Sequence, residues 1–143
     1  CRGTHDPNDK GHGDMGQAFD FDLDGKVDLL SGSDDPGKWY LYGNQTTANN
    51  YVLVQVGNSP IEGKYKEWVD PYSAIVTVKT LNNTYRKRVG SAGEIHSQSL
   101  LNTVHFGLGK EERIVEIRVK WRNGAERVLM DGVAGNLYSF GKK

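Results

Sequence analysis

Four aspartates crowd into nine residues around a single glycine, in the stretch Asp20-Phe21-Asp22-Leu23-Asp24-Gly25-Lys26-Val27-Asp28. Two carboxylates about 4 Å apart repel by roughly 4 kcal/mol at an effective dielectric near 20. A hard divalent cation removes that cost, and Ca²⁺ takes six to eight oxygens from carboxylates, backbone carbonyls and water. The expected ligands are the side chains of Asp20, Asp22, Asp24 and Asp28, with a backbone carbonyl from Lys26. Gly25 permits the bend that turns them inward. The stretch holds no imidazole or thiolate, which argues against zinc and copper. The competing reading is a solvated acidic turn, since Asp and Gly both favour turns.

The spacing does not fit an EF-hand, which places a bidentate Glu at the twelfth loop position between two helices. That position is Ser31 here, and the upstream flank Gly11-His12-Gly13-Asp14-Met15-Gly16 is too glycine-rich for a helix. Other chemistry is sparse. His5, His12, His96 and His105 have no zinc-ligand spacing, and His96-Ser97-Gln98-Ser99 lacks the third group that orients a triad. No nucleophile elbow or phosphate-binding glycine fingerprint occurs, so no catalytic residue is assigned and a non-enzyme is expected. A hydrolase using an acidic pair from Glu62, Glu67, Asp70 or Glu94 stays as an alternative. Tyr65, Trp68 and Tyr72 form an aromatic group in a loop-like stretch, a candidate ligand-binding surface for a carbohydrate or protein partner. In the other aromatic group, Trp39, Tyr40 and Tyr42, alternation along a strand predicts a buried ring.

These residues must be positioned by strands. Residues 1–16 read as a polar arm, 17–48 as the metal unit, and 49–143 as a β domain. The metal unit comprises a short strand, the acidic loop, a turn at residues 33–37 and an aromatic strand over 38–42. From Tyr51 the apolar period becomes two, with strands at 51–56, 74–81, 84–89, 104–106, 114–122 and 126–130. Asn82-Asn83 is expected to supply the positive-φ residues of a tight hairpin, and Asn123-Gly124 a two-residue turn. That second turn would set Val119 opposite Val128 and Ile117 opposite Met130, and it puts Val115, Ile117, Val119 and Trp121 on one face. The fold class is therefore all-β: a metal-stapled hairpin, or partial propeller blade, packed on an antiparallel sandwich or barrel.

The segment 18–30, followed by Trp39-Tyr40-Leu41-Tyr42-Gly43-Asn44, resembles an FG-GAP/VCBS calcium-loop repeat. The remainder resembles the ASPIC/UnbV domain of the cartilage acidic protein type. That likeness lies in Asp70-Pro71-Tyr72-Ser73-Ala74-Ile75, Gly93-Glu94-Ile95-His96-Ser97-Gln98-Ser99, His105-Phe106-Gly107-Leu108-Gly109 and Val119-Lys120-Trp121-Arg122-Asn123-Gly124. Val76 and Arg122 depart from the glycine and proline usual there. The resemblance implies a calcium-binding extracellular module that mediates adhesion or assembly, with a protein or glycan partner. A propeller needs several repeats and the motif occurs once, so two expectations stand: the favoured one is the C-terminal piece of a larger protein, and the other is a unit recruited as a calcium-stapled hairpin on the following domain.

Composition excludes several classes. With 18 basic and 18 acidic residues in 143, no net field attracts nucleic acid, and no apolar run reaches the length needed to insert in a membrane. The single cysteine, Cys1, cannot form an internal disulfide; half of a pair is the favoured reading, with a lipid-modified residue or a free thiol as the alternatives. Asn44-Gln45-Thr46 and Asn82-Asn83-Thr84 are sequons that a secreted protein would expose to glycosylation.

Overall fold

The computed structural model describes residues 15–32, 39–46, 49–62, 66–90 and 102–142. Cys1, the 33–37 turn, Tyr65, Glu94 and the His96-Ser97 group lie outside them. Among the described residues there are strands and no helix, and three sheets of which none closes into a barrel. Among the described residues no helix is long and apolar enough to cross a membrane. The chain divides into two compact units, Cys1–Ala48 and Asn49–Lys143.

In the first unit β1 (Met15–Phe19), β2 (Asp28–Gly32) and β3 (Tyr40–Tyr42) form an antiparallel sheet in the order β1-β2-β3. It is a three-stranded sheet rather than a hairpin. The acidic loop is the β1–β2 connection.

The second unit is a sandwich. Its three-stranded sheet has the order β10 (Asn136–Phe140), β4 (Asn50–Val56), β7 (Thr103–Gly109). Its four-stranded sheet runs β6 (Thr84–Arg88), β5 (Ile75–Thr80), β8 (Arg113–Lys120), β9 (Glu126–Val133). Both contribute to one core, with Val52, Val54, Val56, Phe106 and Phe140 from the first, and Val76, Val78, Ile114, Ile117 and Val119 from the second. β-branched residues dominate because they pack well on a pleated surface. Lys87 spans the layers, its Nζ donating to the His105 carbonyl at 2.8 Å and lying over the Phe106 ring. The sheet is not purely antiparallel, because β10 runs parallel to β4. Two glycines let the strand ends cross: a Cβ on Gly57 would meet the Lys142 carbonyl oxygen at 2.2 Å, and Gly141 (φ 87°) is as tightly approached by the Asn58 carbonyl.

The β8–β9 hairpin corrects the expected register. Ile117 faces Leu129 and Val119 faces Arg127, one residue from the pairing set by a two-residue turn. Trp121 and Ala125 close the ladder instead, leaving three loop residues with Gly124 at φ 87°. The Asn123 side chain accepts from the Ala125 N–H at 3.0 Å, which favours this longer loop. A one-residue slip exchanges faces, so Val128 and Met130 point to solvent. Val115 also leaves the expected face. β5 pairs Lys79 with Glu116 and Thr80 with Ile114, so Val115 is a bulged residue. It is exposed, and Ile114 takes the core position. The β5–β6 turn needs no positive φ at Asn82 or Asn83: the Thr80 hydroxyl accepts from the Asn83 N–H at 3.1 Å and closes it.

Trp121 joins the sandwich ends. Its ring is fully buried, and Nε1 donates to the Gly57 carbonyl at 3.0 Å. Nearby, Asn123 donates to the Ser59 hydroxyl at 3.0 Å, and that hydroxyl accepts from the Val69 N–H at 2.9 Å.

Candidate metal centre

The ladder between β1 and β2 ends at the pair Phe19 and Asp28, which brings the start and finish of the acidic loop side by side. Oxygens of Asp20, Asp22 and Asp28 lie within 4.8 Å of one another. Asp20 and Asp28 are buried, while Asp22 is exposed. Backbone amides hold the buried pair. Asp20 accepts from Asp24 N–H at 3.0 Å and Gly25 N–H at 2.8 Å, one on each oxygen. Asp28 accepts from Phe21 N–H at 3.2 Å and Asn44 N–H at 2.7 Å. Left-handed φ values at Leu23 (60°) and Gly25 (87°) turn these donors inward. For a bulky residue such as Leu23 that conformation costs about 1–2 kcal/mol and persists only where its surroundings enforce it.

Asp24 stands apart from the cluster. Its carboxylate takes Lys26 as partner, with Nζ at 2.6 Å, and the Lys26 N–H donates to it at 2.9 Å. Hydrogen bonding from Lys26 holds the Asp24 carboxyl below the usual carboxylate range, and Asp24 in turn raises the Lys26 ammonium. Among the described residues no ion pair reaches Asp20, Asp22 or Asp28: Lys26 pairs with Asp24 and reaches Asp22 and Asp28 only as a longer-range charge. Each bonded carboxylate oxygen keeps a lone pair beyond its N–H contact. The cluster is an all-oxygen donor set, which suits a hard cation.

Asn44, to which the spacing of the acidic loop does not point, also belongs to this centre. Besides its amide bond to Asp28, its side chain donates to the Val27 carbonyl at 3.0 Å and accepts from the Thr46 hydroxyl at 2.7 Å. Its place at the end of the aromatic strand is the only local signal of that role. Asn82, in the second sequon, is exposed.

The aromatic groups behave differently from each other. No ring in the first is buried: Trp39, Tyr40 and Tyr42 are all exposed, Tyr40 stacks on Tyr42 at 6.3 Å, and Trp39 lies over Gly32. Among the described residues of this unit, a three-residue edge strand gives these rings no second layer to enter. In the second group Trp68 is 58% exposed. The Tyr72 ring lies over Gly90, and its N–H is capped by Asp70 at 2.9 Å. Among the described residues no ring contact joins Trp68 to Tyr72. Of the acidic hydrolase candidates, Glu62 is paired with Arg127 and Asp70 with Arg122. His105 stacks on Tyr51 at 6.0 Å.

The second unit is thus a mixed β-sandwich with a buried tryptophan at its hairpin. Residues 66–143, more than half of the chain, match the family described as ASPIC and UnbV, and the chain belongs to that family. The match begins beyond the acidic loop. No curated protein matches the chain.

Proposed function

We propose that this chain is a non-catalytic, extracellular calcium-binding module that supports adhesion or assembly as part of a larger protein. The observation that carries the reading is the meeting of Asp20, Asp22 and Asp28 within 4.8 Å, with two of the three buried and no ion pair among the described residues. Calcium there would offset their mutual repulsion and staple β1 to β2, as in the FG-GAP/VCBS repeat that the loop resembles. Asp20, Asp22 and Asp28 would hold the ion, with the Lys26 carbonyl as a further ligand expected from the spacing; the Asp24 carboxylate, also expected, is turned to Lys26. Its chemistry is electrostatic, because a fixed cation in this loop orders the connection that bears Phe21 and Leu23 on the surface.

Isothermal titration of the whole chain with CaCl₂, after chelator treatment, tests the reading. One site per chain is expected, with zinc unable to compete at equal concentration. Absence of any calcium heat or of calcium-dependent stabilisation would rule it out. A carbohydrate-binding role rests on the exposed ring of Trp68, and a glycan array in calcium tests it against Trp68→Ala.

A further inference from the structure

The solvent face of the four-stranded sheet carries a charge pattern unrelated to the acidic loop. Val76 and Val78 of β5 point into the core, so Ile75, Thr77 and Lys79 face outward. Strand pairing then sets three outward rows: Arg88, Ile75, Lys120 and Glu126; Arg86, Thr77, Arg118 and Val128; Thr84, Lys79, Glu116 and Met130. These rows hold five cations and two carboxylates, in a chain whose net charge is zero.

The carboxylates organise one side of the patch. Glu116 is shared by Lys79 at 3.3 Å and Arg118 at 3.0 Å, and Glu126 by Arg118 at 2.8 Å and Lys120 at 3.2 Å. Arg118 is thereby fixed between two acids with guanidinium donors to spare. On the other side Arg86 and Arg88 are exposed and have no ion pair among the described residues. Strands about 4.8 Å apart, with alternate residues about 7 Å apart along a strand, spread these cations, which occupy three strands and three rows, over roughly 10 by 14 Å. That footprint spans two or three anionic groups on an extended chain.

We propose that this face binds an anionic polysaccharide, through Arg86, Arg88, Arg118, Lys79 and Lys120. Arginine forks take carboxylate and sulfate oxygens in pairs, which suits uronate or sulfated sugars. Nucleic acid fits less well: the face bears no aromatic ring on which bases stack, and the chain's isoelectric point near 7.1 gives no wider basic field. An acidic peptide commonly joins a sheet at its edge through backbone bonds, whereas these cations are side chains spread across β6, β5 and β8 and not along the β6 edge alone. The site is independent of calcium.

The test is fluorescence polarisation of the whole chain with a labelled heparin octasaccharide and a labelled oligogalacturonate octamer, at about 50 mM salt, where screening is weak. Binding to either, weakening steeply with salt and unchanged by chelator, is expected; the two arms separate sulfate from carboxylate recognition. R86S/R88S should weaken it about tenfold without lowering the melting temperature. K66S/K110S, which removes two exposed cations that belong to none of these rows, should leave it intact. The proposal is overturned by absence of binding to both sugars, by R86S/R88S binding within twofold of the native chain, or by loss of binding in chelator. Tighter binding to oligo-dT, polyglutamate or phosphatidylserine vesicles would overturn it as well.

Discussion

Asp22→Asn should change the acidic loop in opposite directions with and without calcium. Asp22 lies within 4.8 Å of Asp20 and Asp28, a distance at which two charges repel by about 3 kcal/mol at an effective dielectric of 20. Asp22 is exposed, so solvent screening brings the effective penalty to about 1 kcal/mol. The asparagine keeps the oxygen that accepts from Asp24 N–H at 3.2 Å, so the change removes charge and little else. In chelator the variant should therefore close its loop more tightly than the native chain, by about fivefold. In calcium at a hundredfold excess over Kd the native loop gains about 2.7 kcal/mol, and the variant, short of a ligand, gains much less. Hydrogen exchange of the Phe21, Asp24, Gly25 and Asn44 amides, which bond to the two buried aspartates, reads both effects locally. The two proteins should exchange places in protection between the conditions. If the variant is less protected than native in chelator, or calcium protects both equally, the electrostatic account of the loop is refuted.

Trp121→Phe should cost about 2–4 kcal/mol in urea unfolding of the chain, combining an unpaired Gly57 carbonyl with a cavity where the indole was. A loss below about 0.5 kcal/mol would show that this buried bond does not tie the hairpin to β4. Acid stability should depend on Glu116, whose carboxyl is held below its ordinary value first by hydrogen bonding from Arg118 and then from Lys79. The folded chain then binds fewer protons than the unfolded one. The contribution is therefore fully present above the ordinary carboxylate range and lost as pH falls through the depressed value. Glu116→Gln should flatten the acid limb of the melting temperature against pH, and an unchanged limb would remove Glu116 from the account.

Features that depend on near neighbours can be read along the chain. The alternation of Ile75, Thr77 and Lys79 with Val76, Val78 and Thr80 reads directly as one buried face, because successive strand residues point to opposite sides. Likewise, the carboxylates of residues 20–28 lie in one loop and declare their mutual repulsion within nine positions. Tertiary structure decided what depended on distant partners or on single-residue register. The parallel strand β10 finds β4 across some eighty positions, and no local pattern in five residues specifies such a pairing. The longer turn at Gly124 and the bulge at Val115 each shift alternation by one, exchanging core for solvent over the strand beyond. Which aspartates meet was likewise a matter of three dimensions. Lys26 draws Asp24 away, and the amide of Asn44, sixteen residues on, secures Asp28, because charge and hydrogen bonding act through space rather than along the chain.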